Sequence, residues 1–328
     1  MLTIHQPEGN RLACRPEVGG GATLSEATLP EGTLWLDLLD PTPEEAEFVV
    51  RCLGLRVPSR AEQQEIEITS RLFEEGEALY MTATVLFQAE SDTPQLDPVT
   101  FILCGQRLVS LRYVDPHPFR VFPAFAERHP WICADALSVL LGLVDAIISR
   151  LADVLEHVGA SVDQIANAVF TDDHRPSAKD LDQAIQGVGR AGGRLSKIRE
   201  SLLSIDRMLS FLAQSGALAD RKGQRKRLQQ IGRDVQSLSD HATFLANKVN
   251  FLLDATLGMI NIQQNGIIKI FSVAAVVFLP PTLVASIYGM NFEVMPELQW
   301  EYGYPMALGL MVLSAILPYI WFKRKGWL

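Results

Sequence analysis

The last fifth of the chain contains two long runs of residues without a charge, and this feature constrains the fold more than any other. The first run, Ile270 to Ile287, has 18 uncharged residues, and the second, Met306 to Phe322, has 17. As a helix, the first run would be about 27 Å long, close to the hydrocarbon thickness of a bilayer. The alternative is a buried helix of a soluble protein, and two such runs in succession make this alternative improbable. We therefore predict two transmembrane helices.

Basic residues around the two runs predict their orientation. Lys269 precedes the first run and Lys323 to Lys325 follow the second, whereas Phe271 to Phe322 contains no Lys or Arg. Basic segments stay on the cytoplasmic side, so we expect a multi-pass protein of the inner (plasma) membrane with both termini in the cytoplasm. Pro280 and Pro281 remove two backbone donors and predict a kink, whose freed carbonyls need a partner or line a water-filled path.

Composition and motifs argue against several other classes of protein. The net charge of -9 disfavours nucleic acid as a partner, because binding to phosphates requires a basic face. The sequence contains no GxxxxGK[ST], HExxH or GxSxG run, and its four cysteines are scattered. We therefore expect neither an enzyme nor a bound cofactor. The N-terminus lacks a basic start followed by an apolar run, so most of the chain is expected to remain where it was made.

The first 130 residues indicate a mixed α/β domain. Trp35 to Leu39 is typical of a short strand, and the following Asp-Pro-Thr-Pro segment is typical of a helix start. Leu79 to Phe87 and Val99 to Val114 are rich in β-branched and aromatic residues, the second with a hairpin turn at Gly105 and Gln106. We expect a small sheet flanked by helices.

Residues 131–224 indicate two antiparallel helices. Apolar residues recur every three or four positions over Ala134 to Val169 and again over Asp180 to Ala213, with a polar break at Thr171 to Ser177. The basic patch Arg221 to Arg227 is interpreted as a solvated helix start. An anionic partner such as lipid or nucleic acid is the less favoured alternative.

A seam of apolar residues with one threonine predicts a long helix that packs against other helices. Because no proline occurs between Arg225 and Val277, this helix can continue into the first apolar run. The seam serves either a bundle within the chain or contacts with other copies, and the pattern leaves both open. Its members are Ile231, Val235, Leu238, Ala242, Leu245, Val249, Leu252, Thr256 and Met259.

Gly289, Met290 and Asn291 follow the first apolar run, and here the sequence resembles the CorA family of magnesium and cobalt transporters, whose signature is Gly-Met-Asn. The resemblance is close over residues 265–328. Before that it is looser and rests on the segment Trp-Leu-Asp-Leu-Leu-Asp-Pro-Thr-Pro from Trp35. The zinc-transporting ZntB-like branch is the nearest relative, but it tends to depart from Gly-Met-Asn.

The resemblance implies an α+β chain that assembles as a homopentamer around a pore. It divides the chain into a sandwich-like cytoplasmic α/β domain (1–130), cytoplasmic antiparallel helices (131–224), a stalk helix (225–269), a pore-lining transmembrane helix (270–288), an outer loop with the Gly-Met-Asn motif (289–304), and a second transmembrane helix with a basic end (305–328).

The resemblance also implies a selectivity filter at Gly289, Met290 and Asn291. A ring of side-chain carbonyls from Asn291 and backbone carbonyls from Gly289 presents neutral oxygens to the ion. Such a ring suits Mg²⁺, which gives up its water reluctantly and is therefore bound through its hydration shell. Met290 is expected to pack the loop in place.

Further along the same helix, the resemblance implies that Thr282 forms a second polar ring. Leu279, Phe271 and Ile268 match narrow hydrophobic constrictions that gate by dewetting; ordinary helix packing is the alternative for these three. Phe271 is bulkier than the aliphatic residue expected there. Ser286, where glycine is common, is a smaller departure.

The function expected from these features is a channel for Mg²⁺ and Co²⁺, with Ni²⁺ as a further cargo, driven by the membrane potential. At 100 mV the potential favours entry of a divalent ion by about 4.6 kcal/mol. The alternatives are a zinc transporter and a membrane sensor that does not conduct. Family-type sensing carboxylates are not placed by the sequence: the aligned position falls near Gln230, with Asp234 and Asp240 as the nearest acids. The glutamates between Glu62 and Glu77 are interpreted as a solvated face.

Overall fold

The computed structural model describes residues 1–9, 11–15, 28–65, 67–91, 93–170, 176–219, 221–291 and 295–326. These residues form two compact units, Met1–Leu252 and Leu253–Leu328. Most of the predicted polar break after Val169 lies outside the described residues, as does part of the outer loop, residues 292–294.

The first unit contains a mixed seven-stranded sheet. Its strands are β1 (Leu2–Glu8), β2 (Arg11–Arg15), β3 (Trp35–Leu39), β4 (Leu72–Glu75), β5 (Ala78–Phe87), β6 (Gln95–Cys104) and β7 (Arg107–Arg112). Their order is β2-β1-β3-β7-β6-β5-β4, with β3 and β7 parallel and the other pairs antiparallel. The sheet is larger than expected because β1, β2 and β4 were not predicted. In β1 the polar Thr3 and His5 are buried together with Leu2 and Ile4, so no alternation marks the strand.

Four short helices surround the sheet: α1 (Pro43–Leu53), α2 (Arg60–Gln63), α3 (Ile68–Arg71) and α4 (His117–Arg128). Helix α1 begins in the predicted segment. The backbone N–H of Glu45 donates to the Thr42 hydroxyl, and the N–H of Thr42 donates to the Glu45 carboxylate, which forms a capping box. The helix ends at Gly54, whose left-handed φ of 64° favours glycine.

A charged pair lies inside the sheet and is fully hydrogen-bonded. Arg112 Nη2 donates to Asp37 Oδ2 at 2.7 Å, and Ser110 Oγ donates to Asp37 Oδ1 at 2.6 Å. Trp35 Nε1 in turn donates to Ser110 Oγ at 2.8 Å. The imidazole of His5 stacks on Trp35 with ring centres 4.0 Å apart, and burial lowers the pKa of His5 to about 4. This histidine is therefore neutral in the folded domain.

Four long helices complete the chain: α5 (Ala136–Phe170), α6 (Ala178–Gln214), α7 (Lys222–Tyr288) and α8 (Gly303–Arg324). Helices α5 and α6 follow the predicted ranges within two residues. Helix α7 has 67 residues, about 100 Å at 1.5 Å per residue, and has no break where the apolar run begins. The predicted α+β class, with long helices followed by two apolar ones, is thus the class of the structure.

The outer edge of β5 beyond its pairing with β4 is covered by α6. The N–H of Thr84 donates to Ser204 Oγ at 2.9 Å, and Ser201 Oγ donates to the Thr84 carbonyl at 2.8 Å. The strand β4 pairs with β5 only as far as Met81, so Thr84 lies beyond the end of that ladder. The helix therefore satisfies both backbone groups that this strand position leaves unpaired.

The apolar seam of α7 is buried within the first unit as far as Leu252. A Cβ placed on Gly159 of α5 would lie 3.7 Å from Leu245, and one on Gly192 of α6 would lie 3.7 Å from Val249. The seam thus contacts both neighbouring helices, and Lys248 forms an ion pair with Asp163 of α5. Of the two uses left open by the sequence, the structure has the bundle within the chain. Its buried members in the first unit are Ile231, Val235, Ala242, Leu245, Val249 and Leu252.

Part of the basic patch at the start of α7 is used inside the fold. Gln224 Nε2 donates to Asp135 Oδ2 at 3.1 Å, and Arg221 Nη1 lies 3.5 Å from the same oxygen. The guanidinium of Arg227 stacks over the Trp131 ring at 3.3 Å from its centre. These contacts anchor the first turns of α7.

Candidate ion pathway

Helices α7 and α8 are each long and apolar enough to cross a membrane, by their length and composition. Most of the apolar side chains in these segments are exposed in the single chain. Apolar surface of this extent requires lipid or another protein surface as its partner. The two helices therefore have the properties expected of the predicted spans.

The residues predicted to line a pore share one face of α7. Ile268, Phe271, Leu279 and Thr282 are separated by three, eight and three residues, so they fall within about 80° around the helix axis. All four are exposed, with 60% of Ile268, 72% of Phe271 and 65% of Leu279 accessible. The structure thus brings these residues together on one unpartnered face.

The opposite face of α7 is covered. Val273 is buried, and Val277, Val284 and Tyr288 are half-buried. A matching stripe on α8 has three buried and four half-buried residues, several of them small, as helix contacts in membranes require. Because both helices belong to this unit, we infer that the two stripes pack against each other. The α8 stripe is Gly303, Ala307, Met311, Ser314, Ala315, Pro318 and Phe322.

The two prolines free carbonyls on different sides of α7. Pro280 and Pro281 lack the N–H groups that would otherwise bond to the carbonyls of Val276 and Val277. Val277 belongs to the covered face, whereas Val276 is exposed and lies about 60° from Leu279 by helical spacing. The Val277 carbonyl is therefore not a candidate for contact with an ion in a pore lined by Leu279, and the Val276 carbonyl lies at the edge of that face.

The hydroxyl hydrogen of Thr282 is already engaged in a hydrogen bond within α7. Its Oγ1 donates to the carbonyl of Phe278 at 2.7 Å. The lone pairs of the hydroxyl remain available as acceptors. The waters around a divalent cation are donors, so a hydroxyl fixed in this way suits a hydrated ion.

The Gly-Met-Asn motif lies directly after α7 ends at Tyr288. The N–H of Gly289 donates to the Ala285 carbonyl at 2.9 Å, and a Cβ on Gly289 would lie 3.0 Å from that oxygen. A larger residue would therefore push against the helix backbone. Met290 donates from its N–H to the Ile287 carbonyl at 3.3 Å, and Asn291 follows as an exposed residue. These two hydrogen bonds hold Gly289 and Met290 against the last turn of the helix. They therefore fix the backbone position from which Asn291 follows.

The ends of the two apolar helices carry aromatic and basic residues. Just before α8 begins, Trp300 and Tyr302 are in contact, with ring centres 6.0 Å apart. At the other end of α8, the Lys325 ammonium lies 5.4 Å from the ring centre of Trp321. Lys323 belongs to the same basic cluster. Aromatic rings and basic side chains at opposite ends are typical of a segment that spans a bilayer.

One set of polar residues was missed by the sequence analysis. Asp254 and Asn261 precede Ile268 at intervals of seven residues on α7, and all three are exposed. A seven-residue interval drifts by only about 20° on a straight helix, so these residues lie close to one line. The apolar seam of α7 repeats with the same seven-residue interval. A search of the helix positions farthest from the seam would have found Asp254 and Asn261.

The acids considered for ion sensing have local partners. Glu62 caps α2 through Ser59 and pairs with Arg56 at 2.6 Å. Asp234 accepts from Gln230 at 3.0 Å, and Asp240 accepts from Gln236 at 2.9 Å. Across the described parts of the chain, no three His, Cys, Asp or Glu side chains are grouped to hold a metal. The structure thus adds no location for a sensing site, which the sequence did not place.

Known proteins match this chain along most of its length. The family described as CorA-like Mg²⁺ transporter protein matches residues 30–324. The magnesium transport protein CorA of Escherichia coli (strain K12) is 38% identical over 328 residues, which is 100% of both chains. That of Haemophilus ducreyi is 39% identical over 295 residues, 90% of this chain and 92% of its own.

Solved structures share the fold at low identity. The complete CorA magnesium transporter from Methanocaldococcus jannaschii superposes with a TM-score of 0.77 at 18% identity, covering 100% of this chain and 99% of its own. The ZntB cytoplasmic domain from Vibrio parahaemolyticus gives 0.57 at 9% identity, covering 78% and 96%. The predicted family and fold class are confirmed by these matches. With relatives near 40% identity over nearly their full lengths, this chain belongs to the CorA-like family of Mg²⁺ transporter proteins.

Proposed function

We propose that this chain is one subunit of a homopentameric channel in the inner membrane that carries hydrated Mg²⁺, and also Co²⁺ and Ni²⁺, with both termini in the cytoplasm. The observation that carries the proposal is the exposed face of α7, which is turned away from α8 and leads to Asn291. Two helices do not enclose a pore, so several copies must surround one axis. The relatives named as magnesium transport proteins support Mg²⁺ as the cargo.

In this proposal the filter is a ring of amide and backbone oxygens at the outer end of α7. Asn291 and Gly289 supply the acceptors, and Met290 packs the loop. The 3.0 Å distance from a Cβ on Gly289 to the Ala285 carbonyl supports its role, because a side chain here would push on the last turn of the helix. Neutral oxygens bind the ion through its water shell and release it again, as conduction requires.

The gate in this proposal consists of the apolar side chains on the same face. Ile268, Phe271 and Leu279 from every subunit would converge on the axis, and a narrow apolar ring excludes water and therefore ions. Thr282 would break this lining with a ring of acceptors. The exposure of all four side chains in the single chain supports a partner surface formed by other copies.

At the cytoplasmic end, Asp254 and Asn261 extend the pathway. They lie on the line of α7 that leads to Ile268, so a ring that brings Ile268 to the axis brings these side chains near it as well. Rings of carboxylates attract cations. Asp254 would therefore concentrate divalent ions at the inner mouth.

Two other functions remain as candidates. The likeness to a ZntB cytoplasmic domain makes Zn²⁺ the alternative cargo. The intact Gly-Met-Asn motif and the relatives named as magnesium transport proteins favour Mg²⁺. A membrane sensor that does not conduct would use the same fold. Transport measurements separate all three.

The test combines the mass of the purified protein in detergent with ion uptake into liposomes. We expect a pentamer and uptake of Mg²⁺, Co²⁺ and Ni²⁺ that follows the imposed membrane potential without a proton gradient. Uptake of Zn²⁺ alone, or a requirement for the proton gradient, would favour the zinc transporter. A monomer or dimer, or the absence of any flux from an assembled oligomer, would contradict the channel.

A further inference from the structure

Two phenylalanines are exposed on the cytoplasmic part of α7. Phe244 and Phe251 lie seven residues apart, with 60% and 62% of each residue accessible. The ring of Phe251 lies 6.2 Å from that of Phe170, which is also exposed at the end of α5. We name these three residues the aromatic ridge. Exposed aromatic rings in line on one helix indicate a surface that is covered by a partner.

A groove runs along the other flank of α7, between α7 and α6. Its volume is about 490 Å³, and α7 contributes the small residues Ser239 and Ala246 together with Asn250. Leu203 and Arg199 of α6 form part of the opposite wall, and both are exposed. A cavity of about 150 Å³ holds benzene, so this groove is wide enough for an aromatic side chain.

Contacts of the seam establish that the ridge and the groove are on opposite flanks. Leu245 faces Gly159 of α5, and Val249 faces Gly192 of α6. Along the helix, Phe244 lies midway between Ser239 and Asn250, the two ends of the groove. The ridge and the groove are therefore at the same height on α7, on the α5 side and the α6 side respectively.

Rotation about an axis parallel to α7 leaves this height unchanged. In a closed ring the flank of one subunit meets the other flank of the next, which is a heterologous interface. We propose that Phe244 of each subunit inserts into the groove between α6 and α7 of its neighbour, with Phe251 packing along the same contact. The partner is thus a second copy of this chain, and the inference rests on the ring-shaped assembly proposed above.

Charges beside the ridge and the groove are complementary at the same height. Glu156 of α5 precedes Gly159 by three residues, and because α5 runs parallel to α7, it is level with Ala242. Arg199 follows Gly192 by seven residues on the antiparallel α6, which also makes it level with Ala242. Both side chains are exposed. In the proposed contact, Arg199 of one copy meets the acid and the aromatic ring of the next, and both attract a guanidinium.

The first test replaces Phe244 with p-benzoylphenylalanine in the full-length protein in detergent. Irradiation should give covalent oligomers, and peptide mapping of these should locate the adduct between Gly192 and Leu203 of α6 or at Ser239, Ala246 or Asn250 of α7. The same probe at Val121, exposed on α4, is the matched control and should give at least tenfold less covalent oligomer.

Adducts in the oligomers at Phe244, Phe251 or Phe170 would mean that ridge meets ridge, and would overturn the proposal. An oligomeric parental protein that gives only cross-linked monomers would overturn it too. A monomeric parental protein would instead contradict the proposed channel. As an independent measure, Phe244→Ala should raise the rate of subunit dissociation at least tenfold over Val121→Ala, and an equal rate for the two variants would refute the contact.

Discussion

The hydroxyl of Thr282 donates its hydrogen to the carbonyl of Phe278 at 2.7 Å, and its remaining lone pairs lie on the exposed face of α7. Thr282→Val preserves the shape of the side chain but removes these acceptors, so we expect Mg²⁺ flux into liposomes to fall severalfold. Thr282→Ser retains the oxygen and should retain most of the flux. Equal flux for the valine variant and the parental protein would exclude an acceptor role.

Asn291→Ala should reduce Mg²⁺ transport close to background. In a symmetric oligomer the substitution removes the amide acceptor from every subunit, so the ring loses all of them at once. The oligomer should survive, because buried and apolar helix surfaces rather than this exposed residue hold the subunits. Gln186→Ala, which removes an exposed amide on α6, is the control. Parental transport by a correctly assembled Asn291→Ala protein would remove the filter role.

Phe271→Ser should raise basal cation flux. A serine ring admits water where a phenylalanine ring excludes it, so the energy barrier at the constriction falls. The matched control is Ile270→Ser, because Ile270 is equally exposed but lies on another face of α7 by helical spacing. If both variants behave alike, or if flux through the assembled Phe271→Ser protein is unchanged, the constriction lies elsewhere.

Asp254→Asn should lower Mg²⁺ flux severalfold at low ionic strength. The carboxylate ring would raise the local concentration of divalent ions, and its effect should shrink as salt shortens the screening distance to about 8 Å at 0.15 M. Asp182→Asn on α6 removes one exposed carboxylate per subunit away from this column and should have no effect. A reduction that is independent of salt would argue against attraction by charge.

The first unit should lose stability between pH 6.5 and about 4 because of His5. Its folded-state pKa of about 4 is below the ordinary value of 6.5, so the unfolded chain binds an additional proton in this range. The contribution is fully present above pH 6.5 and is lost as the pH falls to 4, by about 3 kcal/mol in total.

His5→Phe can keep the stack on Trp35 but does not titrate, so it is the control. The difference in unfolding free energy between the two proteins, measured by urea denaturation in detergent, should change over this pH range. A constant difference would show that His5 keeps an ordinary pKa.

Much of the fold follows from the sequence because burial has a clear periodic pattern in its longest elements. Helices α5 and α6 were predicted within two residues, and the hairpin of β6 and β7 was marked by its turn at Gly105. Strand β1 was missed because Thr3 and His5 are buried through specific contacts, such as the stack on Trp35, rather than through hydrophobicity.

The candidate site was only partly predictable for a different reason. An apolar seam looks the same whether its partner is in the same chain or in another copy, so the sequence left the seam of α7 open. The limit of the first unit at Leu252 has no sequence signal because α7 continues through it. Asp254 was missed because one carboxylate per chain becomes notable only once symmetry is considered.

The serines that cover β5 have a consequence for the protein before it is assembled. A strand edge with free N–H and carbonyl groups is a template on which another chain adds a strand. Ser201 and Ser204 occupy both groups of Thr84, so α6 terminates the ladder chemically and not merely by obstruction. In the proposed assembly, newly made subunits meet at one membrane before a ring closes. In that interval these two hydroxyls protect the sheet from aggregation through this edge.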